Sequence, residues 1–486
     1  MRNPSFVVLD MPDGRAYTLF RDFLPMEGKN MRKSARYEMD MTQGPIMMNM
    51  IRFAIPLMCS SVLQLFYNAA DMVVVGRFAG SNALAAVGAT GAITSLLVNL
   101  FLGLSVGASV TVAQHYGANR YKDVTESVHT TVALAMLGGI VIGLMGIFLA
   151  RPLLTAMGTP EDVLDLAVLY MAIFFAGMPA NLTYNFCAAI LRAVGDTKRP
   201  LYYLTAAGII NVVLNLIFVI VFHMSVAGVA LATVISQIVS MVLVVICLIR
   251  TDGSIHLDLR KLRLHKDKVL QIAKIGLPAG LQSSMFSISN TLIQSSINSF
   301  GSAAIAGNTA ASNIEAFVST PLAAFHQAAM SFISQNYGAR KPERLGRIAW
   351  CGAGLVMSMG FVLGMLAMFF GRPLLSIYGS EEAVIEWGLN RMKIMTTLCF
   401  IGSVGEIFVA GLRAMGNSIF PMLMSILTIC VFRVIWIYTA FAVWRTPDIL
   451  YASYPISWAL ASTVHFISFM VHKKKVVARL RAELNE

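Results

Sequence analysis

Apolar residues run through this chain in stretches of twenty or more, divided by short segments that hold glycine, proline and charge. A helix needs about 20 apolar residues to cross the hydrocarbon core of a bilayer, and such stretches recur from residue 51 to 472. The pattern predicts twelve helical spans, roughly 50–76, 82–116, 124–150, 163–194, 199–223, 226–250, 268–298, 303–338, 344–371, 383–415, 418–444 and 449–472. Several are longer than a bilayer requires, which implies tilt or bending. Pro179, Pro278 and Pro321 inside them permit bends.

The polar positions supply orientation. With the amino terminus inside, segments 1–52, 117–123, 192–199, 250–274, 339–347, Arg413 and 473–481 carry 30 of the 37 Lys and Arg residues. Arg77, Arg151, Arg372, Arg391, Lys393 and Arg445 fall outside, and Arg433 falls within a span. Positively charged loops resist translocation, so both termini are expected in the cytoplasm. The loop 251–267, with Arg260-Lys261-Leu262-Arg263, reads as a solvated linker touching lipid headgroups. It sets the organisation: an amino-terminal extension over 1–45, disordered; an N-lobe over 46–250; the linker; a C-lobe over 268–472; and a basic tail over 473–486. Residues 1–45 lack the compact apolar segment of a signal peptide, and Met31 opens a second plausible start.

The halves repeat at an offset of 221 residues. Gln114-His115-Tyr116-Gly117-Ala118 matches Gln335-Asn336-Tyr337-Gly338-Ala339, and Arg151-Pro152-Leu153-Leu154 matches Arg372-Pro373-Leu374-Leu375. Leu191-Arg192-Ala193 with Gly195 matches Leu412-Arg413-Ala414 with Gly416, and Ile235-Ser236 matches Ile456-Ser457. Near the first span the offset is 222, pairing Pro56 with Pro278. An even number of spans gives both halves one orientation. The fold class is therefore an all-α polytopic membrane protein, with twelve transmembrane helices in two pseudo-symmetric six-helix bundles. Such a parallel repeat frames a cleft suited to alternating access.

Composition narrows the function. The chain is 57% apolar and 13% charged, against roughly 45–50% and 25% in soluble domains. A soluble enzyme is excluded, and the net charge of +12 is a matter of membrane topology rather than nucleic acid. The six cysteines sit in apolar stretches and read as small buried side chains. The eight histidines show no ligand spacing, so neither a metal site nor a cofactor is expected.

Several blocks resemble the multidrug and toxic compound extrusion (MATE) family: Asp40 to Ile46, Phe53-Ala54-Ile55-Pro56-Leu57, Tyr67-Asn68-Ala69-Ala70-Asp71, Gly76-Arg77-Phe78, Ala85-Ala86-Val87-Gly88, Gln114 to Ala118 and Asn211-Val212-Val213-Leu214-Asn215. The N-lobe motifs look most like the branch that includes DNA-damage-inducible protein F. The resemblance implies a monomeric antiporter of the bacterial inner membrane. It would export lipophilic organic cations and other amphipathic drugs in exchange for H⁺ or Na⁺. Export of an unknown metabolite is an alternative. Another is a lipid-linked oligosaccharide flippase of a related two-lobed fold, which the scarcity of cations inside the spans disfavours.

A carboxylate inside a span costs at least about 2.5–3.5 kcal/mol, so Asp71 is the first candidate for coupling. At 1.5 Å per residue, Asp71, Tyr170, Asn215 and Thr233 each lie about 9–12 Å below the outer end of their spans. Asn211 sits one turn deeper than Asn215 on the same face. These oxygens are hard donors, suited to H⁺ relay or Na⁺ and not to soft metals. The resembling branch places its cation site at these five positions, with an Asp where this chain has Asn215, so a two-carboxylate relay is not expected. The C-lobe offers Glu315, His326, Glu406 and Arg433. Glu315 and His326 share a helix face toward the cleft, while Glu406 either pairs with Arg433 or attracts a cationic drug. The abundant Phe and Met residues provide adaptable apolar surface for such substrates.

Overall fold

The computed structural model describes residues 38–379 and 381–485, so the expected extension and alternative start before residue 38 lie outside the described residues. Every span is helical. The first runs Ile46–Val74 and continues through a π turn, Val75–Ala79. The second and third are Ser81–Gly117 and Tyr121–Ala156. The fourth is a bent pair, Glu161–Ala176 and Met178–Ala193, with 46° between its halves at Gly177, next to Pro179. The fifth, Lys198–Leu216, ends in a π turn, Ile217–Val221, and the sixth is Ser225–Arg250.

The C-lobe repeats this plan. Its seventh to tenth spans are Lys266–Asn298, Ser302–Gly338, Pro342–Phe369 and Glu382–Ala414. The eleventh is assembled from Ile419–Ser425, a π turn Ile426–Val431, Phe432–Tyr438 and Ala440–Val443. Among the described residues, nine helices are long and apolar enough to cross a bilayer, or ten with the bent pair. The seventh and eighth are long enough but richer in Ser, Asn and Gln, and both pack against the second span across the lobe interface. The lipid-facing sides carry exposed Phe148, Phe361 and Phe369, an arrangement that only an apolar solvent tolerates.

Three readings are corrected. Residues 38–45 are not disordered: Met41 is fully buried, and its carbonyl accepts from Asn336 Nδ2 at 2.9 Å. The linker is not simply solvated. Leu257 is fully buried, Asp258 N donates to His129 Nε2 at 3.2 Å, and Thr125 Oγ1 donates to Ser254 O at 2.9 Å. The twelfth helix does not stop at 472 but runs Pro447–Asn485, because Val476 and Leu480 continue its apolar stripe through the basic stretch.

The repeat extends to turn geometry. Gly195 and Gly416, one offset apart, both take the left-handed conformation after their helices (φ 96° and 87°). The lobes meet along the first, second, seventh and eighth spans. Gly103 and Gly107 of the second lie against Gly276 and Gly280 of the seventh, where a Cβ on Gly107 would stand 2.2 Å from Ile272 O. Small residues let membrane helices approach this closely. At the end that carries the basic loops the lobes exchange matching hydrogen bonds. Gln114 Nε2 donates to Ala414 O at 2.8 Å, and Gln335 Nε2 donates to Ala193 O at 2.7 Å.

Candidate functional site

Four of the five N-lobe candidates form a closed ring. Asn215 Nδ2 donates to Asp71 Oδ1 and also to Asn211 Oδ1 at 3.3 Å. Asn211 Nδ2 donates to Thr233 Oγ1 at 3.4 Å, and Thr233 Oγ1 donates to Asp71 Oδ2 at 3.5 Å. The first, fifth and sixth spans thus converge on one carboxylate. Tyr170 lies within Coulombic reach of Asp71 but makes no hydrogen bond to the other four among the described residues; its phenol ring stacks on Phe174, with 6.2 Å between ring centres.

Local structure explains the convergence. Tyr67, one turn before Asp71, lies flat against the fifth span because Gly208 has no side chain there; a Cβ would come within 1.8 Å of the Tyr67 ring. The π turns Val75–Ala79 and Ile217–Val221 begin within a turn of Asp71 and Asn215. Such turns widen a helix locally and recur at functional positions.

A polar cavity of about 120 Å³ adjoins the ring, lined by Asn68, Asn181, Asn185 and Gln237 among others. Asn215 is fully buried, and among the described residues its Oδ1 has no hydrogen-bond partner. That oxygen, the Asp71 carboxylate, Asn211 Oδ1 and Thr233 Oγ1 are hard donors in a site large enough for a small cation or a few waters. The arrangement can take up H⁺ on Asp71, or hold Na⁺ beside its ionised form.

The C-lobe candidates divide into two places. Glu315, His326 and Glu406 line one cavity of about 390 Å³ with Gln282, Arg413 and His465. Arg413 Nη2 donates to Gln282 Oε1 at 2.8 Å, and His326 Nε2 is buried with no hydrogen-bond partner among the described residues. The expected Glu406–Arg433 pair does not form. Glu406 lies about 12 Å from the basic-end terminus of its helix and Arg433 about 21 Å from that of the eleventh span, so they sit at different depths. Arg433 instead stacks over Tyr454, with Cζ 4.0 Å from the ring centre, and bonds Ser457 and Asn290.

The sequence reading also missed a buried cation. Arg391, assigned to the outside, lies about 13 Å into the tenth span, where Nη2 meets Glu315 Oε2 at 2.7 Å and Nη1 donates to Asn308 Oδ1 at 2.7 Å. Arg433 is therefore not alone inside the spans. The repeat carries the missed signal, since Arg391 falls one offset after Tyr170.

Comparison with known proteins gives one answer in both halves. The MatE family model matches residues 56–217 and again 278–439. The probable multidrug resistance protein YoeA of Bacillus subtilis is 28% identical over 388 residues, 78% of this chain and 84% of its own. The multidrug export protein MepA of Staphylococcus aureus (strain MRSA252) is 23% identical over 392 residues, 79% and 85% of the two chains. A solved MATE structure in a bent conformation superposes with a TM-score of 0.84 at 21% identity, covering 92% of this chain and 99% of its own. An outward-facing MATE multidrug resistance transporter superposes at 0.83 and 22% identity, covering 90% and 98%.

Proposed function

Because the chain belongs to the multidrug and toxic compound extrusion family of multi-pass membrane transporters, we propose that it is a cation-coupled exporter of amphipathic drugs, driven by H⁺ or Na⁺ at the Asp71 ring. The names of the relatives support the substrate class. The observation that carries the coupling role is the ring itself, a membrane-embedded carboxylate held by Asn215 and Thr233 beside an unpartnered amide oxygen. The pattern Asp71, Asn211 and Thr233 favours a place near the DNA-damage-inducible protein F branch, with one carboxylate where that branch has two. The bias of Lys and Arg supports a bacterial plasma-membrane protein with its basic end, and both termini, on the cytoplasmic side.

The cycle follows from these parts. With the lobes joined at the basic end, H⁺ or Na⁺ reaches Asp71 from the opposite side. Binding breaks the hydrogen bonds from Asn215 and Thr233, repacks the first span at its π turn, and lowers drug affinity in that state. The lobes then rock open toward the cytoplasm. The ion drives export only through its unequal affinity for the two states, and the drug answers with the same coupling energy.

The test is efflux of ethidium from everted vesicles under separate pH and Na⁺ gradients. The wild type is expected to respond to one gradient. Asp71→Asn is expected to lose at least tenfold of the gradient-driven rate while purifying as a folded protein. Full transport by that variant, or indifference of the wild type to both gradients, would overturn the proposal.

A further inference from the structure

The repeat places a second polar layer in the C-lobe, and its charge is inverted. At the 221 offset Tyr170 maps to Arg391, Thr233 to Tyr454 and Ser236 to Ser457, while at 222 Asn68 maps to Asn290 and Asp71 to Ile293. In the eleventh span the π turn Ile426–Val431 precedes this layer, whereas in the fifth span Ile217–Val221 follows it. A π turn adds one residue to a helix, so Arg433 takes the place of Asn211. The contacts agree. Asn211 bonds Thr233, and Arg433 covers Tyr454 while its Nε donates to Ser457 Oγ at 3.1 Å.

Where the N-lobe has a carboxylate the C-lobe has an isoleucine, and where the N-lobe has a phenol and an amide the C-lobe has two guanidinium groups. Glu315 pairs directly with Arg391 and lies within Coulombic reach of Arg433, so one carboxylate faces two guanidinium groups. Arg433 is only 4% exposed, and its partners Ser457, Asn290 and Tyr454 are neutral; among the described residues no carboxylate lies within 4.0 Å of it. Two buried cations that share one carboxylate keep an excess positive charge, which is costly in an apolar surrounding. A guanidinium is also the side chain whose fork fits a carboxylate. Asn290, which accepts from Arg433 Nη1 at 3.1 Å, is exposed on the seventh span, one of the four at the lobe interface, and so gives the charge an approach.

We propose that the C-lobe layer around Arg433 is a recognition site for one carboxylate group of an amphipathic substrate, entered past Asn290. The protein then takes acidic and zwitterionic amphiphiles as well as cations. Its two lobes recognise opposite charges, the N-lobe the coupling ion and the C-lobe the substrate's anionic end. The inference rests on the export reading only in assuming that substrates pass between the lobes. Its test measures binding without transport, so the two fail separately.

The probes are rhodamine B, which carries a free carboxylate, and its ethyl ester, which does not. They are titrated into the purified protein by fluorescence polarisation. Arg433→Gln is expected to weaken rhodamine B at least tenfold and the ester less than twofold. Asn290→Asp, which keeps the guanidinium but sets a carboxylate of the protein against it, is expected to give the same selective loss, and it decides the matter if Arg433→Gln does not fold. Equal losses for both probes, or no loss for rhodamine B in a folded variant, would overturn the proposal.

Discussion

At the scale of single residues, burial decides which polar groups matter. Asp196 is fully buried in the turn before the fifth span. Its Oδ1 accepts from the backbone N–H groups of Lys198 and Arg199 at 3.1 Å, and its carboxylate pairs with the Arg199 side chain. Burial pushes this carboxyl up, and the Arg199 charge opposes the shift. Breaking a buried pair by removing one member costs about 3–5 kcal/mol, far more than an exposed pair is worth. Asp196→Ala is therefore expected to lower the melting temperature by several degrees in a thermal unfolding scan; an unchanged value would remove the capping role. One offset on, Asn417 Oδ1 accepts from Phe420 N at 3.4 Å, the same cap without the charge. The proposed coupling residues were legible at this scale because a carboxylate or an amide inside an apolar run stands out. Arg391 was not. It lies close enough to the start of its helix to resemble a loop charge; its place one offset after Tyr170 marks it as embedded, and the fold shows it turned inward onto Glu315.

At the scale of elements, apolar run length predicted the helices, and most ends fall within a turn of their expected places. The failures have physical causes. Lys473-Lys474-Lys475 reads as a stop, yet Val476 and Leu480 remain one turn apart on the packed face and carry the helix on. Those two side chains contribute about 1.5–3 kcal/mol each, while the exposed pair Arg340–Glu483 contributes about 1 kcal/mol or less. Ending the chain after His472 is thus expected to destabilise the protein markedly, whereas Glu483→Ala changes the melting temperature by a degree or two at most. Equal effects in the same unfolding scan would contradict the packing argument. The π turns were invisible to the sequence, because one extra residue leaves hydrophobic spacing almost untouched while rotating everything beyond it.

At the scale of the whole molecule, the two-lobed plan was readable from the repeat, but the state of the lobes was not, because which ends touch depends on contacts between residues far apart in sequence. The matching bonds from Gln114 and Gln335 hold the basic ends together. Each hydrogen bond is worth about 1 kcal/mol, so removing both costs about 2 kcal/mol, or a 30-fold change in population. The double variant Gln114→Ala with Gln335→Ala is expected to expose that end. In a background carrying Ala339→Cys, maleimide should label it several-fold faster, and an unchanged rate would mean that the bonds do not hold the lobes.

The same pseudo-two-fold that relates the halves also exchanges these two bonds, so slackening one loads the other. The closed end then works as a toggle that releases at both points together. Genetics should register this: second-site suppressors of a Gln114 lesion are expected to arise at the other bond, around Gln335 of the opposite half and its acceptor Ala193, rather than beside the original change.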